Sequence, residues 1–153
     1  MAAASAYDLV EKGLFQDAAR VIDQSPSPPQ DLRVLRARLE SHIGVPQRAK
    51  VEAQSLLGGR LDHRERTICW EVIGRVTLSA GMIADGLRAM RQAFGAATTI
   101  QDARLEARLT ASFIESLLHC VGVEPATLEM PRLRKAALRA GDAYSLVELH
   151  SLD

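Results

Sequence analysis

The chain has 153 residues, 47% of them hydrophobic, and its 19 Lys and Arg balance 19 Asp and Glu. That balance excludes the compositional signature of disorder and fits one globular domain that buries roughly two-thirds of its unfolded surface. It also argues against a dedicated nucleic-acid binder, which carries a basic excess.

Helical periodicity runs almost end to end, and strand signals are nearly absent, with few aromatics and few alternating Val, Ile and Thr runs. Ala, Leu, Arg, Glu and Gln dominate, residues that lose little side-chain freedom in a helix. The pattern predicts a first helix over 3–12, stopped at Gly13. A second, over 15–24, carries Ala18, Ala19 and Ile22 and ends at the Pro-rich run 25–29. The third, over 30–43, sets Leu32, Leu35, Leu39 and Ile43 on one stripe. Gly44 ends it, and Pro46 opens a fourth helix over 46–57 with Ala49, Ala53, Leu56 and Leu57 inward. Asp62 and Glu65 have capping-box spacing and begin a fifth, reaching about 80, with Cys69, Trp70, Ile73, Val76 and Thr77 inward.

Gly81 separates it from a sixth helix over 83–97, which buries Leu87, Met90, Ala93, Phe94 and Ala97. A seventh, over 100–121, turns Ala103, Ala107, Thr110, Ala111, Ile114, Leu117, Leu118 and Val121 inward, and Gly122 ends it. Pro131 is expected to interrupt any helix in the stretch from Glu124. Helices over 131–140 and 143–151 complete an expected set of eight or nine. The final helix offers Ala143, Leu146, Val147 and Leu149, so self-association stays open.

Short helices paired across a Gly prompt a search for an internal period. The clearest unit places Trp70, Ile73, Gly74 and Thr77 before Gly81, then Gly86, Met90 and Ala93 after it. This unit resembles a tetratricopeptide repeat, with Thr77 in place of the usual aromatic and Gly86 in place of the usual Ala. Ala6, Leu9, Gly13, Ala18 and Ile22 repeat the spacing. Gly13, Gly44, Gly81 and Gly122 recur unevenly around the family period of about 34 residues. The resemblance implies an all-α fold of antiparallel helix pairs stacked as a short right-handed superhelix. It makes 1–153 a single domain with units near 1–29, 30–60, 61–98 and 99–153. It is similar to the tetratricopeptide-like arms of bacterial signalling and transcription regulators.

No catalytic motif accompanies the repeat. Gly-x-Ser-x-Gly, His-Glu-x-x-His and the P-loop are all missing. His42, His63, His119 and His150 are scattered, and adjacent His119 and Cys120 diverge by about 100° on a helix, so no metal site is expected. No cofactor is expected either. Cys69 and Cys120 make no disulfide framework and the N-terminus has no signal-peptide pattern, so the expected location is cytoplasmic, with no membrane partner. The Arg bias (16 of 19 basic residues) and the 23 Ala fit a GC-rich genome as well as any physical demand. The pairs Arg88/Arg91 and Arg104/Arg108 and the sets Arg33/Arg36/Arg38 and Arg132/Lys135/Arg139 read first as solvated helix faces. Their second reading is a surface for an acidic peptide or partner. Glu71 and Arg75 have the favourable i,i+4 order.

The resemblance implies a groove lined by the first helix of each pair. Projected onto this chain, the groove positions are Tyr7 and Glu11, then Arg38 and Ser41, then Glu71, Arg75 and Ser79, then Ser112, Ser116 and His119. The expected function is a non-catalytic scaffold for a protein or peptide, as the regulatory arm of a signalling or transcription protein. The alternative is a small-molecule sensor with a pocket near Cys69, Trp70 and His119.

Overall fold

The structure is a computed structural model that describes residues 2–141, apart from the side chains at 2–4 and 11. The helix expected over 143–151 lies outside the described residues. Among them run eight helices and no strand: α1 (Ala2–Glu11), α2 (Phe15–Asp23), α3 (Gln30–Ile43), α4 (Pro46–Leu57), α5 (His63–Ser79), α6 (Ile83–Ile100), α7 (Ala103–Cys120) and α8 (Val123–Ala140).

Local chemistry sets most of these limits. Asp62 and Glu65 close a reciprocal capping box at the start of α5. The Glu65 N–H donates to Asp62 Oδ1 at 2.7 Å, and the Asp62 N–H donates to Glu65 Oε2 at 3.0 Å. Gln30 Nε2 donates to the same Glu65 oxygen at 2.8 Å and ties the start of α3 to the start of α5.

The turns closing α1 and α5 are the same object built twice. Gly13 and Gly81 have φ of 74° and 80°. In each case the glycine N–H bonds three residues back and the next N–H bonds five back, to Val10 and Leu9 in one turn and to Leu78 and Thr77 in the other. That is the Schellman pattern, which requires a left-handed residue after the helix. Leu14 and Met82 then enter the next helix with matching dihedrals.

Consecutive helices pack on one another, and α3 also packs on α5 and α5 on α7. Helices α3, α5 and α7 therefore form one layer, with α4 and α6 packed against it. The core runs along the stack as four linked clusters. Ala6, Ala18, Ile22, Leu32, Leu35 and Leu39 join α1, α2 and α3. Val34, Ala49, Ala53, Cys69, Val72 and Ala89 join α3 to α6. Leu78, Met90, Phe94 and Leu109 join α5, α6 and α7, and Ala111, Ile114, Leu133 and Ala137 join α7 to α8. Each cluster touches only its neighbours, as in a repeat array. The many buried alanines now have a physical use, since they allow helix axes to approach closely.

Three expectations fail. Pro131 does not break the chain: α8 runs through it without interruption. Ala126, Leu133, Ala136 and Ala137 keep one buried stripe on α7 on both sides of the proline, whose ring stays exposed. Burial along the whole helix outweighs a proline cost of about 3 kcal/mol. Second, α6 extends to Ile100 and the break falls at Gln101, left-handed with φ 51°, because Asp102 caps α7 by accepting from the Leu105 N–H at 3.0 Å. Third, Ile43, Leu118 and Val121 are exposed. All three lie in or just beyond the last turn of a helix.

Candidate functional site

Helices α3, α5 and α7 carry polar bridges along their shared layer. Arg38 on α3 faces Glu71 on α5, with Nε 3.7 Å from Oε2. Arg75, one turn after Glu71, does not pair with it as its spacing suggested. Its Nη1 instead reaches α7, donating to Ser112 Oγ at 3.2 Å and lying 3.7 Å from Glu115 Oε2. Three helices are thus bridged by Arg38, Glu71, Arg75 and Ser112. Glu71 is 1% exposed, and neither of its carboxylate oxygens has a hydrogen-bond partner within the protein. A charge so placed is costly unless a cation lies close, and Arg38 supplies it.

The expected groove residues separate into groups. Arg38 with Glu71 and Arg75 with Ser112 form two bridges one turn apart on α5, and Glu71 and Ser112 are buried. Ser41, Ser79 and Ser116 turn their hydroxyls back to their own helices, onto Arg38, Val76 and Ser112 carbonyls. His119 is exposed, with Nδ1 2.9 Å from the Glu115 carbonyl oxygen, a contact that requires the Nδ1–H tautomer. Tyr7 stands apart and exposed; partial burial raises its hydroxyl pKa, and Asp31 adds to the rise. The Glu11 side chain lies outside the described residues.

Beside the Arg38–Glu71 bridge opens a cavity of about 590 Å³. Its apolar wall is Val10, Phe15, Leu35 and Leu39; Lys12, Arg38, Arg104 and Arg108 bring positive charge. His42 lies on the same wall. Desolvation lowers the His42 pKa to about 4, Arg75 and Arg38 push the same way, and Glu71 opposes them. Residues of α1, α3 and α7 all line this space.

Sequence reasoning missed this location. The lining of this cavity includes none of Cys69, Trp70 and His119. Cys69 is packed into the core between α4 and α5, and burial pushes its thiol pKa up to about 12. Trp70 packs half-buried against two core clusters. Lys12, His42, Arg104 and Arg108 carried no local signal beyond the helical spacing of the two arginines.

Other basic residues are engaged rather than simply solvated. Arg36 forms a two-pronged pair with Asp23, at 2.8 and 3.0 Å. Arg33 donates to Glu52 at 2.8 Å. Arg132 lies over the Phe94 ring at 3.7 Å, and Arg139 pairs with Glu106.

Among the described residues no group of three or more His, Cys, Asp or Glu could hold a metal ion. No helix there is long and apolar enough to cross a membrane. No family model, curated protein or solved structure matches the chain.

Proposed function

We propose that this chain is a non-catalytic interaction module that binds a protein or peptide segment along the face of its odd-numbered helices. The observation that carries the reading is the pair of polar bridges on α5, Glu71 to Arg38 of α3 and Arg75 to Ser112 of α7. They span three stacked helices and border the cavity. Stacked helix pairs commonly present such a surface to partners. The tetratricopeptide resemblance and the lack of a catalytic motif support the same reading. A role as the regulatory arm of a larger signalling or transcription protein belongs to this proposal.

The test is affinity capture from host lysate read by mass spectrometry, with three forms of the chain compared. One is intact. One carries Tyr7→Ala, Ser79→Arg and His119→Ala, all at exposed positions of odd-numbered helices. One carries Arg88→Ala and Gln92→Ala on the exposed side of α6. The expected result is a protein held by the intact and α6 forms and lost by the odd-helix form. A partner lost only by the α6 form places recognition on the opposite layer and overturns the proposal.

A further inference from the structure

We infer that the cavity lined by α1, α2, α3 and α7 is a binding site for a small neutral molecule, mainly hydrocarbon, that carries one hydroxyl or carbonyl group. This goes beyond the partner-binding reading and does not rest on it.

Size comes first. At about 590 Å³ the cavity falls within the roughly 300–1,000 Å³ usual for small-molecule sites. Val10, Phe15, Leu35 and Leu39 form its apolar wall. Leu35 and Leu39 belong to the core cluster that joins α1, α2 and α3, so packing behind the wall holds it in place. Val10 and Phe15 still leave apolar surface open to solvent. A hydrocarbon occupant covers that surface, which is favourable in proportion to the apolar area removed from water.

The polar groups decide the charge of the occupant. Arg38 already faces Glu71, with Nε 3.7 Å from Oε2. Arg104 and Arg108 have interactions of their own. A charged ligand would have to draw these cations from their existing contacts, and it would give up its hydration on entry. Lys12 is exposed, where an added ion pair is worth little. His42 is the group left to orient a ligand. Among the described residues no hydrogen bond holds its ring. The residue is exposed, yet the protein around it desolvates the ring enough to lower its pKa to about 4. Near neutral pH the imidazole is therefore uncharged and offers one N–H donor and one acceptor nitrogen. Both suit a hydroxyl, and the donor alone suits a carbonyl.

The experiment uses octanol as the probe, with octanoate and octylamine as charged counterparts of the same chain length. Methyl NMR of the intact chain reads the site directly. Octanol is expected to shift the Val10, Leu35 and Leu39 methyls saturably and to bind at least about fivefold more tightly than either ion. A Phe15→Ala/His42→Ala form changes two exposed side chains. It is expected to keep its melting temperature and to bind octanol at least about fivefold more weakly, the loss that one hydrogen bond implies. Equal or tighter binding of octanoate or octylamine, shifts only at the exposed Leu128 and Leu138 of α8, or unchanged affinity in the double variant would each overturn the assignment. So would the absence of saturable shifts with the intact chain.

Discussion

Gly86 on α6 lies directly against Leu78 on α5. A Cβ built on Gly86 would stand 2.5 Å from Leu78 Cγ and 2.9 Å from its backbone nitrogen. Gly74 has the matching relationship on the other side, where a Cβ would meet Met90 Sδ at 2.5 Å. The two helices touch at backbone distance, which is why small residues recur at these positions. Gly86→Ala is therefore expected to destabilise the fold by about 1–3 kcal/mol through overpacking. Gly95, also on α6, has nothing within 4 Å of its would-be Cβ. Gly95→Ala should stabilise by up to about 1 kcal/mol from helix propensity alone. Urea denaturation of both variants checks the opposite signs.

Pro131 offers a second backbone test. It sits exposed inside α8, where it lacks the N–H that an interior helix position donates. Pro131→Ala should raise stability by about 1–3 kcal/mol, reduced by the extra freedom the unfolded chain gains. A drop in melting temperature would mean that the ring packs usefully where it lies.

The Arg38–Glu71 pair should respond asymmetrically. Arg38→Ala leaves a fully buried carboxylate without its nearest cation, and a loss of about 3–5 kcal/mol is expected. Glu71→Gln leaves Arg38, whose side chain is 21% exposed, able to reach water. Its cost should be nearer 1 kcal/mol. Equal losses in chemical denaturation would show that the pair acts only by packing.

The pH dependence follows from His42. Its pKa in the folded chain is lowered from 6.5 to about 4, first by desolvation and then by Arg75 and Arg38. The unfolded chain therefore binds the proton more readily. The stability this contributes is complete above pH 6.5 and is lost as pH falls through 4. His42→Asn should flatten the stability profile across that window while leaving values above it nearly unchanged. Thermal melts in a buffer series give the comparison. An unaltered slope would assign acid sensitivity to other groups.

Removing the α5 cap gives a last check on local structure. Asp62→Ala breaks one bond of the reciprocal box, and the expected loss is about 1 kcal/mol. Gln30 shares Glu65, so the start of α3 should lose amide protection together with α5 in hydrogen exchange.

Helix order and most helix limits were legible in the sequence because local signals set them. The Asp62–Glu65 box, the Gly13 and Gly81 turns and the apolar stripes each act within a few residues. The close contact at Gly74 and Gly86 was legible too, as a spacing of small residues. The continuation of α8 was not, because it depends on what α7 offers to Leu133 and Ala137, and no local rule measures that. The same limit hid the candidate site. Arg38, Glu71, Arg75 and Ser112 could be placed on inner positions one helix at a time. Their connection, with Arg75 turned to Ser112 and Glu71 to Arg38, was decided by how α3, α5 and α7 stack. The cavity lay further out of reach. Lys12, His42 and Arg104 are distant in sequence and line one cavity only through tertiary packing. Short-range propensity determines the helices; the cavity comes from long-range packing, which sums small contacts across all the pairs.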